Sequence, residues 1–125
     1  MPLQITFDQA AGIIQVCSSG EVHKNDHLAA WSAAVRLSRE ERCRKLLVDL
    51  RTLPVGALTI AECFSFGEMV AATQDIDFIA HVLPLTEAAR ENVQFASIVE
   101  ANRGKKSEAF ETAEEARNWL MSRNP

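Results

Sequence analysis

The stretch Lys45-Leu46-Leu47-Val48-Asp49-Leu50-Arg51 decides the fold. Four apolar residues run almost unbroken through it, and an acid and a base stand at its far end. A run this short and this apolar suits a strand buried on both faces, as in a parallel sheet. Asp49 and Arg51 then lie where that strand leaves the core, at its carboxyl end.

Upstream, Asn25 is the expected N-cap of a first helix, with Asp26 in the first turn favouring the positive end of the dipole. Leu28, Trp31 and Val35 fall at helical spacing as its core stripe, and the charged segment 36–44 ends it. Earlier still, Leu3 to Phe7 alternates strictly, and 8–12 supplies turn residues before a second strand, Ile13 to Cys17. The short connection favours an antiparallel hairpin. Ser18-Ser19-Gly20 breaks the pattern. Strand, helix, strand then makes a right-handed βαβ unit.

Downstream, 52–58 is a loop that is unusually apolar: Leu53, Pro54, Val55, Ala57 and Leu58. Thr59 caps a second helix running to about Thr73, with Ile60, Cys63, Phe64, Gly67, Val70 and Ala71 on the core side. Phe66 falls at the margin of that stripe and Met69 nearly opposite it. Phe78 to Leu83 is a fourth strand, with His81 as a satisfied core histidine. Thr86 caps a third helix to about Asn102 whose apolar set is broad: Ala89, Val93, Phe95, Ala96, Ile98 and Val99. Gly104 stops it. Lys106 to Phe110 is a short edge strand carrying charge. Thr112 with Glu115 forms a capping box that opens a last helix bearing Ala116, Trp119 and Leu120. The expectation is α/β: a five-stranded, mostly parallel sheet with an N-terminal antiparallel hairpin and about four helices, in the order β-β-α-β-α-β-α-β-α.

The composition is that of an ordinary globular chain: 125 residues, 47% hydrophobic and 24% charged. It fits a single domain over 1–125. A net charge of −4 argues against a nucleic-acid partner. Cys17, Cys43 and Cys63 are odd in number and without ligand spacing, as free thiols are. No signal peptide shows at 1–9 and no apolar run is long enough to span a membrane, so the expected location is cytoplasmic.

The element order, the hairpin ending at Gly20, the Leu46-Leu47-Val48-Asp49-Leu50-Arg51 strand and the closing segment together resemble the STAS-domain fold, in its SpoIIAA-like branch of anti-sigma-factor-antagonist-like proteins. That closing segment runs Glu100-Ala101-Asn102-Arg103-Gly104, then Ala109-Phe110, Glu114-Glu115-Ala116 and Trp119-Leu120. The resemblance covers nearly the whole chain. It implies a non-enzymatic module that binds a partner protein. In the regulatory members a serine at the start of the second helix is phosphorylated, within an Asp-Ser-Ser-Gly-like motif. Thr59 falls at about that place, but the segment here reads Gly56-Ala57-Leu58-Thr59-Ile60, so the usual switch is not expected.

Thr59 is thus a candidate phospho-acceptor set against a plain N-cap, which wants the same residue type. Asp49, Arg51 and Thr52, with Ser18, Ser19, Thr59 and Thr86, would form a polar edge at the carboxyl ends of the strands, where open α/β sheets bind ligands. The competing reading has Asp49 accepting loop N–H bonds and Arg51 as a surface base. His23 and His27, four apart, are expected to be a solvated pair and not a metal site. The partner surface is expected on Leu53, Val55, Leu58, Phe66 and Met69, because a contiguous exposed apolar patch marks a contact surface. No catalytic residue, cofactor or metal is expected. The occupant would be a partner protein or a second copy of the chain; a small apolar or lipid ligand held between sheet and helices is the alternative, and an enzyme the least favoured class.

Overall fold

The computed structural model describes residues 3–18, 24–52 and 59–123. The elements are β1 (Leu3–Asp8), β2 (Ile13–Ser18), α1 (Lys24–Glu41), β3 (Lys45–Asp49), α2 (Ile60–Ala72), β4 (Phe78–Val82), α3 (Glu87–Asn102), β5 (Lys106–Phe110) and α4 (Ala113–Met121). One sheet holds all the described strands in sequence order, β1-β2-β3-β4-β5. The β1–β2 pair is antiparallel, and every later pairing is parallel. This is the α/β arrangement expected from the sequence, and the deciding stretch is its central strand.

The two sheet faces carry separate cores. Ile14, Val16, Leu46, Val48, Leu50, Ile79 and Leu83 pack with Ala30, Trp31 and Ala34 of α1, Val70 of α2 and Val93 of α3. Their alternates, Ile13, Leu47, Ala80 and Val82, pack with Ala116 and Leu120 of α4. A strand with apolar residues of both parities has to be covered on both sides. The unbroken Leu46-Leu47-Val48 run therefore demands helices above and below it.

Helix ends differ from the expectation in three places. Helix α1 begins at Lys24, so Asn25 lies inside its first turn and does not cap it. At Thr86 the side chain makes no capping bond. At Thr112 the hydroxyl accepts from the Glu115 N–H, but the Glu115 carboxylate bonds that hydroxyl in place of the backbone. The complete capping box stands at α2: the Thr59 hydroxyl accepts from the Glu62 N–H at 3.1 Å, and the Thr59 N–H donates to Glu62 Oε1 at 2.9 Å. Helix α1 ends in a left-handed residue, Arg42 (φ 52°).

Burial corrects the helix faces as well. On α1, Leu28 is exposed, and the buried line is His27, Ala30, Trp31, Ala34 and Ser38, offset by one position from the expected stripe. His27 is therefore a core residue and not half of a solvated pair. On α2, Cys63, Gly67 and Val70 are buried as expected, but Ile60 and Phe64 are exposed. Met69 does not point away: with Phe66 it packs against the main core. The reason is that α2 has two neighbours. One flank presses on α3, where Gly67 approaches Val99, and the other brings Phe66 edge-on to His27 and Trp31 of α1. The helix rotates to serve both, which leaves the Ile60–Phe64–Glu68 line outward.

Among the described residues, no helix is long and apolar enough to cross a membrane.

Candidate functional site

The polar edge closes on itself. Asp49 is the last residue of β3 and is buried, while Arg51 two residues on is exposed. Arg51 folds back on Asp49: its Nε lies 3.0 Å from Oδ1, its Nη2 2.8 Å from Oδ2, and its backbone N–H donates to Oδ1 at 3.2 Å. A carboxylate that accepts a guanidinium fork and a backbone N–H has little acceptor capacity left for a ligand. The same contact pushes the Arg51 pKa up, chiefly through the hydrogen bond to Asp49. Beside this pair, the Thr52 hydroxyl donates to the Ser18 carbonyl at 2.7 Å and lies 3.1 Å from the Ser18 hydroxyl. These bonds clip the ends of β2 and β3 together. Thr59 and Thr86 are exposed, and among the described residues neither side chain hydrogen-bonds to that clip. The Thr59 hydroxyl is occupied by its cap, and the Glu62 carboxylate already holds the Thr59 N–H. A phosphate there would meet a like charge.

The partner surface expected on Leu53, Val55 and Leu58 lies outside the described residues. Phe66 and Met69 are half-buried against the core, so they give structural packing first and surface second.

Among the described residues, exposed large apolar side chains come together on α2 and α3, while Leu28, Leu85 and Met121 are exposed elsewhere. Ile60 and Phe64 stand one turn apart on the outer line of α2, at 59% and 37% exposure. Ile98 of α3 is 55% exposed. Phe64 stacks on Phe95 of α3, with ring centroids 6.1 Å apart and planes 26° from parallel. The Arg103 guanidinium lies 5.5 Å from the Phe64 ring centre and pairs with Glu68 at 2.9 Å. Close approach of the two helices makes the ridge continuous. At Gly67 a Cβ would sit 3.0 Å from Val99 Cβ and 3.1 Å from the Ala96 carbonyl, so only glycine lets α2 and α3 meet this closely. The sequence carried a signal for this surface. The apolar set of α3 is too wide for a single buried face, and Phe95 and Ile98 are the surplus.

A hydrogen-bonded cluster and a lone histidine are among the polar groups buried away from this surface. Under α3, His81 Nε2 lies 2.9 Å from Glu100 Oε1, Ser107 Oγ donates to the same oxygen at 2.8 Å, and Ser97 Oγ lies 2.9 Å from Ser107 Oγ. The components are those of hydrolytic triads, but the connection is different. A serine nucleophile needs an imidazole on its hydroxyl, whereas here the carboxylate stands between imidazole and hydroxyl. His81 and Glu100 are also closed to solvent, at 2% and 0% exposure. The second group is His27. Its Nε2 is buried without a hydrogen-bond partner among the described residues. Burial pushes its pKa down, opposed by Asp26 and Glu62, which favours neutral imidazole. It borders a cavity of about 20 Å³ walled by Leu3, Val16, Trp31, Leu46, Val48 and Phe66, among others. No group of three or more His, Cys, Asp or Glu suited to a metal ion occurs among the described residues.

No protein-family model matches this chain, and neither a curated protein nor a solved structure matches it.

Proposed function

We propose that this chain is a non-enzymatic protein-interaction or regulatory module of the STAS/SpoIIAA-like type, working without the phospho-serine switch. It docks a partner protein on the ridge formed by α2 and α3. The observation that carries this reading is the Phe64–Phe95 stack held at the surface with Ile60 and Ile98 beside it. Aromatic side chains standing on a rigid helix pair lose little entropy on contact, and such residues supply much of the binding energy of interfaces. The partner would present an apolar face to the ridge, with an acidic group placed to reach Arg103.

A carrier of a small apolar molecule or lipid is the second reading, and the cavity beside His27 is what favours it. Its volume of about 20 Å³ is that of a water-sized void, whereas ligand pockets run from roughly 300 to 1,000 Å³. A carrier would have to open between α1, α2 and the sheet.

Affinity capture from the protein's own cell extract separates the two. Tagged wild type, Phe64→Asp and Phe95→Asp are run in parallel, and native mass spectrometry is done on the purified wild type. A protein retained by the wild type and lost from both variants supports docking. A small molecule bound in the native protein, with identical captured proteins from all three forms, supports the carrier.

A further inference from the structure

We propose that β1 is a self-association edge: two copies pair β1 with β1 antiparallel about a two-fold axis, joining their sheets into one. The two edges of the sheet are built differently. Strand β5 at one edge carries the exposed charges Lys106 and Glu108, a common protection against edge pairing. Strand β1 at the other is six residues long, Leu-Gln-Ile-Thr-Phe-Asp, uncharged until its last position. It pairs with β2 in unbroken register along its whole length, with no bulge to turn the edge away. Alternate residues of β1 therefore present backbone N–H and C=O groups outward, with no partner strand among the described residues. An antiparallel copy of the same strand satisfies them.

The groove beside this edge indicates what occupies it. It holds about 630 Å³ between β1 and α1, bordered by Leu3, Ile5, Ala33, Leu37, Arg36 and Glu40. Arg36 and Glu40 are exposed, one helical turn apart, and neither is in an ion pair among the described residues. Helix α1 packs over β1 and β2, so a two-fold axis normal to the sheet that pairs β1 with its copy brings the two α1 helices together on one face as antiparallel neighbours. With the axis level between positions 36 and 40, Arg36 of each copy faces Glu40 of the other. An isologous contact requires this self-complementarity, and a groove with one sign of charge would have forbidden it. The charge pattern and the strand geometry thus select the same occupant, a second copy of this chain.

This contact is separate from the α2–α3 ridge, and charge reversal tests it without touching the core. Arg36→Glu and Glu40→Arg are made singly and together, and each protein is studied by sedimentation equilibrium. The wild type is expected to dimerise. Each single variant places like charges across the axis and is expected to weaken the dimer roughly tenfold or more. The double variant restores opposite charges and is expected to dimerise like the wild type, and an equimolar mixture of the two single variants is expected to form the mixed dimer. A wild type that stays monomeric to millimolar concentration overturns the proposal. So does a dimer indifferent to both single reversals, or one lost equally in the double variant and the mixture. Phe64→Asp is expected to leave the dimer intact, and Arg36→Glu to leave partner capture by the ridge intact, so each proposal fails on its own measurement.

Discussion

His81 on β4 and Glu100 on α3 meet inside the protein, with Nε2 2.9 Å from Oε1 and both residues closed to solvent. The pair ties α3 to the sheet where apolar packing would otherwise do so. Breaking it from one side leaves a buried polar group exposed to nothing that can hydrogen-bond it. Glu100→Ala is expected to lower unfolding free energy by about 3 kcal/mol. Glu100→Gln keeps an oxygen for the Ser107 hydroxyl and is expected to cost about 1 kcal/mol. The double change His81→Leu with Glu100→Met, which removes both polar partners, is expected to recover much of the loss in Glu100→Ala. Urea unfolding of the set checks this; equal stability of Glu100→Ala and wild type would show the pair to be idle.

Gly67 offers a test of the α2–α3 contact in which two effects oppose each other. Alanine in a helix interior is normally worth about 1 kcal/mol over glycine. Here the new Cβ meets Val99 Cβ at 3.0 Å and the Ala96 carbonyl oxygen at 3.1 Å. Neither a β-branched side chain nor a helix backbone yields easily, and overpacking costs about 1–3 kcal/mol. The expected outcome for Gly67→Ala is a net loss of stability and a change in Phe64–Phe95 packing, seen by thermal unfolding and aromatic NMR shifts. Ser65→Ala, exposed on the same helix, is expected to be neutral or slightly stabilising. A more stable Gly67→Ala would mean that the helices sit farther apart.

The three thiols should separate by reactivity. Burial, assisted by Glu62, pushes the Cys63 pKa up to about 11. At pH 8 that leaves roughly one part in a thousand as thiolate. Cys43 is buried, and Cys17 is half-exposed. One thiol, Cys17, is expected to react promptly with Ellman's reagent in the native protein, with the other two released on denaturation. Prompt reaction of Cys63 would show that α2 opens from α3.

Acid should loosen the end of the sheet from which the parallel strands start. Arg44 pairs with Asp77 and donates to the Gln74 carbonyl at 2.8 Å, while Arg39 lies 3.0 Å from Asp75. The Arg44 hydrogen bond holds Asp77 below its ordinary value of 3.8. Arg117 does the same for Asp8 near that end, and Arg90 for Glu111 at the opposite end, past β5. A carboxylate with a lowered folded-state pKa stabilises the fold above its unfolded pKa, and that contribution is lost as pH falls through the folded value. Stability is therefore expected to be flat down to about pH 5 and to decline below about pH 4. Arg44→Met is expected to shallow the decline. Denaturant unfolding across that range measures it, and a slope unchanged in Arg44→Met would remove Asp77 from the explanation.

Most of the architecture was legible because it follows from local patterns. The apolar run at Leu46 to Leu50 required a sheet covered on both faces, and Gly104, with φ 99°, ends α3 as its position implied. Side-chain exposure on α1 and α2 was less legible, because a helix is rotated by whatever it packs against. Leu28 and Phe64 look like core residues on an isolated helical wheel, yet the contacts of Trp31 and Gly67 turn them outward. Asp49, Arg51 and Thr52 stand together at the carboxyl end of β3, but that Arg51 turns back and occupies Asp49 is a matter of side-chain torsions that no sequence pattern fixes. The ridge was visible only as an excess of apolar residues on α3, and its other half became apparent once α2 was placed against it.

The claim that everything else serves is that the ridge of Ile60, Phe64, Phe95 and Ile98 is where a partner protein sits. Hydrogen–deuterium exchange on the captured complex, compared with the free protein, measures this directly. The expected result is slowed exchange concentrated in 60–72 and 87–102, absent when Phe64→Asp is used. Slowed exchange confined to other elements, with 60–72 and 87–102 unchanged on binding, would contradict it.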